Sequence, residues 1–80
     1  MLLTLYTRPG CHLCDEMKVV LARCRQRQPF DISEVDISTD PALERRYGRD
    51  IPVLLVDGEE IARHRISDGE LERTLVGRHT

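Results

Sequence analysis

The sequence predicts an α/β chain in which one mixed, four-stranded sheet is flanked by three helices, in the order β-α-β-α-β-β-α. Two observations carry this. Apolar, β-leaning runs alternate with helix-periodic runs through the first two-thirds of the chain. Later, Asp57-Gly58 stands between two strand-like runs, a strong hairpin signal. Helical connections between the early strands imply a parallel pair, and the tight late turn implies an antiparallel one. Eighty residues allow one domain, residues 1–80, with a small core.

Each element has its own reason. Leu2–Thr7 is apolar and β-leaning, as a buried strand is. After Arg8-Pro9-Gly10, residues Leu13, Met17, Val20, Leu21 and Cys24 fall on one face of an amphipathic helix. Arg23, Arg25 and Arg27 suit the negative end of its dipole, and Pro29 closes it. Phe30–Ile37 reads as the second strand. Thr39 or Asp40 caps a short helix with Pro41 in its first turn and Gly48 after its last. Ile51–Val56 is the third strand and Glu59–His64 the fourth. Ser67 with Glu70 forms a capping box for the last helix. Leu71, Leu75 and Val76 supply its apolar face, and Gly77 stops it.

Composition narrows the function. The chain is 40% hydrophobic and 32% charged, with 12 basic and 14 acidic residues for a net charge of −2. A nucleic-acid or anionic-membrane binder is usually basic, so neither partner is expected. Three aromatics, Tyr6, Phe30 and Tyr47, make no base-stacking platform. No apolar run approaches the ~20 residues of a membrane span. The opening Met1–Tyr6 lacks the basic start and long apolar stretch of a signal peptide. The expectation is cytoplasmic, where three cysteines suggest catalytic, metal-binding or buried thiols rather than a disulfide scaffold.

Cys11 and Cys14 carry most of the functional signal, and three readings of the pair stand side by side. As a redox pair, Cys11 lies where a strand ends and a helix begins. There the unpaired N–H groups and the helix dipole favour an anion. Arg8 and His12 add positive field nearby, and Asp15 and Glu16 oppose it weakly. A free thiol with pKa ~8.5 is only ~3% thiolate at pH 7; lowering it to ~6 gives roughly 90%. Cys14, one turn further in, is the more buried of the two. Cys11 then attacks a disulfide and Cys14 resolves the mixed disulfide. As half of a metal site, the pair needs further ligands. Cys24 is ten residues beyond Cys14, about 15 Å along a helix, and does not close a site. No metal ligands are assigned; an iron–sulfur cluster needs thiols from outside the chain. The third reading is two small core residues.

The chain resembles the thioredoxin superfamily, and within it the short bacterial glutaredoxin-like proteins. Leu3–Met17, with Tyr6-Thr7-Arg8-Pro9 leading into C-x-x-C, is similar to the glutaredoxin opening. Gly48–Ile61 is similar to the later segment with a cis-proline and a hairpin. Both motifs sit at family spacing, so the resemblance spans essentially the whole chain as a single glutaredoxin-like domain. It implies a thioredoxin-like fold and a redox-active Cys11–Cys14 disulfide. It also implies that Pro52 is cis and faces the cysteines, with the Ile51 backbone aimed outward for a bound peptide or thiol. Arg8 matches the family cation that meets the glycine carboxylate of glutathione.

The departures lie in the glutathione region. Ala62 and Arg63 stand where the family has paired glycines, and Gly10 stands where an aromatic often precedes the first cysteine. Ser67 and Asp68 offer helix-start N–H groups to a carboxylate. The implied function is a dithiol thiol–disulfide oxidoreductase with no tightly bound cofactor and glutathione as co-substrate. Its implied partners are protein disulfides, with glutathione or a thioredoxin-reductase-type protein as electron donor. The alternatives are an iron–sulfur or zinc binding module and a redox-idle interaction domain. His12 is expected to tune the thiolate, Cys24 to fill the core, Tyr6 to pack against the sheet, and His64 and His79 to lie at the surface. Arg45, Arg46, Arg63 and Arg65 read as solvated faces, with docking of an acidic partner as the minority reading.

Overall fold

The computed structural model describes residues 1–79, the His79 side chain excepted; the expectation for that side chain falls outside the described residues. The elements are β1 (Leu2–Thr7), α1 (His12–Arg27), β2 (Asp31–Asp36), a 3-10 turn (Ile37–Thr39), α2 (Pro41–Tyr47), β3 (Val53–Val56), β4 (Glu59–Arg63) and α3 (Asp68–His79). The strands are ordered β2-β1-β3-β4. β1 runs parallel to β2, with Leu3 opposite Ile32, and antiparallel to β3, with Leu5 opposite Leu54. β3 and β4 form the antiparallel hairpin. Its turn, Asp57-Gly58, has positive φ at both residues (48° and 86°), the conformation that matches the twist of the flanking strands. This is the mixed α/β sheet with three helices that the sequence predicts.

Strand alternation divides the core between the two faces of the sheet. Leu3, Leu5, Leu54 and Val56 pack against Met17, Leu21 and Cys24 of α1 and Leu71 and Leu75 of α3. Val53 and Leu55 pack instead with Ile37, Tyr47, Ile51 and Cys14. β3 is therefore buried on both faces, which is why it reads as an unbroken apolar run. α1 contributes to both clusters: its first turn, at Cys14, to the second, and its later turns to the first. No helix among the described residues is long and apolar enough to cross a membrane.

Five boundaries differ from the sequence reading. β2 begins at Asp31, not Phe30, and ends at Asp36, not Ile37. The Asp36 carboxylate accepts the Ser38 N–H (2.9 Å) and hydroxyl (2.6 Å), which closes the 3-10 turn and carries Ile37 into the core. β3 begins at Val53, after the proline. β4 ends at Arg63 because His64 turns to φ 66°. α3 runs through Gly77 to His79, since a helical glycine is only about 1 kcal/mol poorer than alanine. Leu71 and Leu75 define its buried face, and Val76, roughly 100° further round, is 50% exposed. Asp40, rather than Thr39, caps α2, accepting the N–H groups of Ala42 (2.9 Å) and Leu43 (3.3 Å).

Candidate active site

β1 leaves the sheet at Thr7, and Arg8-Pro9-Gly10 turns the chain into α1. Gly10 has φ 77°, a conformation that side-chain-bearing residues rarely adopt. The Cys11 N–H donates to the Arg8 carbonyl (3.3 Å), closing the turn. Cys11 is then the residue that caps α1: its Sγ accepts the Cys14 N–H at 3.1 Å. A sulfur thus does the capping work that serine or aspartate usually does. Cys11 and Cys14 are joined as a disulfide with Cα atoms 5.2 Å apart. The two sulfurs are not equivalent. Cys11 is half-buried, whereas Cys14 is 0% exposed.

Ile51 packs in the cluster that holds Cys14, and Cys11 lies against its edge. The Ile51–Pro52 peptide bond is cis. The Ile51 N–H donates to the Tyr47 carbonyl (3.1 Å). The Pro52 carbonyl accepts the His64 N–H at 2.8 Å. The His64 ring lies at the surface, as expected, with Nε2 3.1 Å from the Arg49 carbonyl. His64 thus holds the segment before β3 from both ends.

The remaining site residues are dispersed. Arg8 reaches across to α2, donating to Glu44 and to the Gly48 carbonyl (3.3 Å). The His12 side chain is 86% exposed and stands 3.5 Å from Glu16. Ser67 and Glu70 form the capping box reciprocally: Ser67 Oγ accepts the Glu70 N–H (3.1 Å), and Glu70 accepts the Ser67 N–H (3.3 Å). Asp68 takes a two-bond ion pair from Arg23 (2.8 and 2.9 Å), about three turns along α1 from Cys11. That guanidinium holds the Asp68 carboxyl below the usual carboxylate range. The structure therefore gathers Cys11, Cys14 and Ile51, while Arg8, Ser67 and Asp68 are engaged by other residues of the chain.

Sequence reasoning missed Glu44, Gly48 and Tyr47. The Tyr47 carbonyl anchors Ile51, and its ring stacks on Tyr6 with centroids 4.6 Å apart. An aromatic in the last turn of a helix just before the Gly48–Pro52 segment was the available signal. Cys24 lies in the other core cluster, where burial pushes its thiol up. Among the described residues, no group of three or more His, Cys, Asp or Glu side chains is arranged to hold a metal ion.

A β2-β1-β3-β4 sheet, a C-x-x-C pair at the first strand–helix junction and a cis-proline before β3 define a thioredoxin-like fold. Thioredoxin 1 of Thermosipho africanus shares it, with a TM-score of 0.64 over 100% of both chains; at 18% identity the likeness shows the fold alone. More specifically, the chain belongs to the glutaredoxin-like domain family (DUF836), whose model matches residues 2–76. It is 31% identical over 72 residues to the "Glutaredoxin-like protein YDR286C homolog" of Dictyostelium discoideum, covering 82% of this chain and 67% of that one. It is also similar to the X-ray structure of protein XcR50 from X. campestris, at 37% identity and a TM-score of 0.82, covering 94% and 96% of the two chains.

Proposed function

We propose that this chain is a dithiol thiol–disulfide oxidoreductase acting on protein disulfides, with Cys11 as nucleophile and Cys14 as resolving thiol. The observation that carries the reading is the asymmetry of the pair: Cys11 Sγ is partly open and accepts an N–H at the start of α1, and Cys14 is sealed beneath it. The same N–H and the helix dipole stabilise a Cys11 thiolate once the disulfide is reduced. That thiolate attacks one sulfur of a substrate disulfide. A Cys11–substrate bond forms, and the other substrate sulfur leaves as a thiolate. Cys14 then loses its proton and attacks Cys11 Sγ, releasing the second substrate thiolate. The substrate gains two electrons, and the chain is left with the Cys11–Cys14 disulfide.

Two thiols from a donor reverse the cycle. Thiol–disulfide exchange needs only sulfurs, so no tightly bound cofactor enters, and a cytoplasmic setting keeps the donor thiols reduced. The donor is glutathione or a thioredoxin-reductase-type protein. Internal carboxylates already occupy groups that the resemblance offers to glutathione: Glu44 holds Arg8, and Glu70 holds the Ser67 N–H. This favours a protein donor, with glutathione as a poorer co-substrate.

The test is the pH dependence of Cys11 alkylation in the reduced protein, together with disulfide reduction by Cys11→Ser. The midpoint is expected well below the free-thiol value of ~8.5, and the variant is expected to be inactive. A midpoint at or above that value, or a variant as fast as wild type, sinks the mechanism. A glutathionylated peptide reduced faster with glutathione than with a reductase system reverses the donor assignment.

A further inference from the structure

We propose that an arginine-lined basin beside the disulfide docks an acidic segment of the protein whose disulfide this chain exchanges. The proposal rests on the oxidoreductase reading and specifies its substrate class. The basin, of about 680 Å³, is lined by Arg8, Arg45, Arg46 and Arg49 and by two carboxylates, Glu44 and Asp50. Both carboxylates are committed, Glu44 to Arg8 and Asp50 to Arg63 (2.8 Å). Among the described residues Arg45, Arg46 and Arg49 form no ion pair within 4 Å, although Arg46 is near enough to Glu60 to help hold that carboxyl down. Elsewhere Lys18, Arg23, Arg27 and Arg78 each hold one.

Charge is therefore sorted over the surface. The lining side chains carry a net +2 in a chain whose total is −2, which leaves the remainder at −4. Such a separation orients an approaching partner and raises encounter rates with one whose charge is opposite. Arg46 lies over the Tyr47 ring, 5.1 Å from its centroid, so little rotamer freedom remains to be lost on docking. These three guanidiniums are spread along α2 and the turn after it. They match several carboxylates in series rather than one small anion.

Position ties the basin to the chemistry. One wall is Arg8, three residues before Cys11, whose carbonyl holds the Cys11 N–H. The other is Arg49-Asp50, directly before the cis Ile51–Pro52 bond. An acidic segment in the basin thus lies between the two stretches of chain that flank the cysteine pair. Its neighbouring disulfide is then presented to Cys11 Sγ, the open sulfur of the pair.

The experiment uses three disulfide-bridged peptides that differ only in flanking Glu, Gln or Lys, reduced by the wild-type protein over a range of NaCl. The Glu peptide is expected to exceed the Gln peptide in kcat/KM about tenfold at low salt. The preference is expected to collapse toward 1 M salt, where the Debye length is ~3 Å. In Arg45→Glu/Arg49→Glu the order of the Glu and Lys peptides is expected to invert. Equal wild-type rates for all three peptides overturn the docking surface. Wild-type turnover of the uncharged bis(2-hydroxyethyl) disulfide reports separately on the oxidoreductase reading. If that substrate and the peptides are all inert, the redox reading falls, and docking is judged by binding alone. The probe is then a fluorescein-labelled Glu peptide with serine for cysteine, read by anisotropy. A tenfold or greater weakening in the double variant supports the basin, and equal binding overturns it. Tighter binding of oligothymidylate than of the Glu peptide assigns the basin to nucleic acid and also overturns the proposal.

Discussion

Gly48→Ala is expected to destabilise the fold by wedging apart the contact between the redox loop and α2. A Cβ at residue 48 lies 2.5 Å from the Glu44 carbonyl oxygen, 2.9 Å from Glu44 Oε1 and 3.2 Å from Arg8 Nη2. Ordinary contact begins near 3.4 Å, so the backbone oxygen must retreat by about 0.9 Å. That oxygen also accepts the Gly48 N–H at 2.9 Å, which ends α2. Overpacking of this kind costs about 1–3 kcal/mol. Loss of glycine's freedom in the unfolded chain offsets about 0.4–1 kcal/mol. The net loss is about 1–2 kcal/mol. With a urea slope of roughly 1 kcal/mol/M, the midpoint falls by about 1–2 M at unchanged slope. Glu44→Gln separates the causes: it removes the charge from a partly exposed pair without adding a clash, for about 0–1 kcal/mol. If Gly48→Ala is as stable as wild type, or more so, the steric account is refuted.

Two further outcomes are expected. In the reduced native protein at pH 7, iodoacetamide labels Cys11 at least ~100-fold faster than Cys24, whose thiol is buried and raised and reacts only on opening; comparable rates by mass spectrometry contradict the packing of α1. Asp36 is held below its ordinary range by the Ser38 hydroxyl, Glu60 by Arg63 and Asp68 by Arg23. Their folded values are the lower ones, so their contribution is present above the unfolded value near ~4 and is lost as pH falls through the folded value. The urea midpoint is expected to drop below about pH 4, less steeply in Asp68→Asn, and a rise on acidification refutes the assignment.

What the sequence made legible was local. The apolar strand runs, the Ser67–Glu70 box, Asp57-Gly58 and the Cys11 helix start each signal within a few residues, and each is in place. Pairings between distant residues were not legible. Arg8 meets Glu44 from 36 positions away, and Arg23 meets Asp68 from 45. No local pattern separates an arginine awaiting a ligand from one held by a glutamate across the fold. Ile37 was misread because its apolar character fits a strand or a buried turn equally, and Asp36 capping decided between them. The Ile51 N–H bond to the Tyr47 carbonyl depends on where α2 ends, which no pattern around Ile51 signals. Val76 followed from extending an apolar face one position past the Leu71–Leu75 spacing.

The charges along the two outermost strands have a consequence for how any partner arrives. β2 carries Asp31, Glu34 and Asp36, and β4 carries Glu59, Glu60 and Arg63. Rows of unpaired backbone groups at a sheet's margin invite another strand, and charged side chains there discourage it. A second copy adding β2 to β2 brings like charges face to face, and so does a foreign acidic strand. Lateral extension of the sheet is thereby disfavoured on both sides. The approach left open is end-on, at the pole of the molecule where β1 gives way to Cys11.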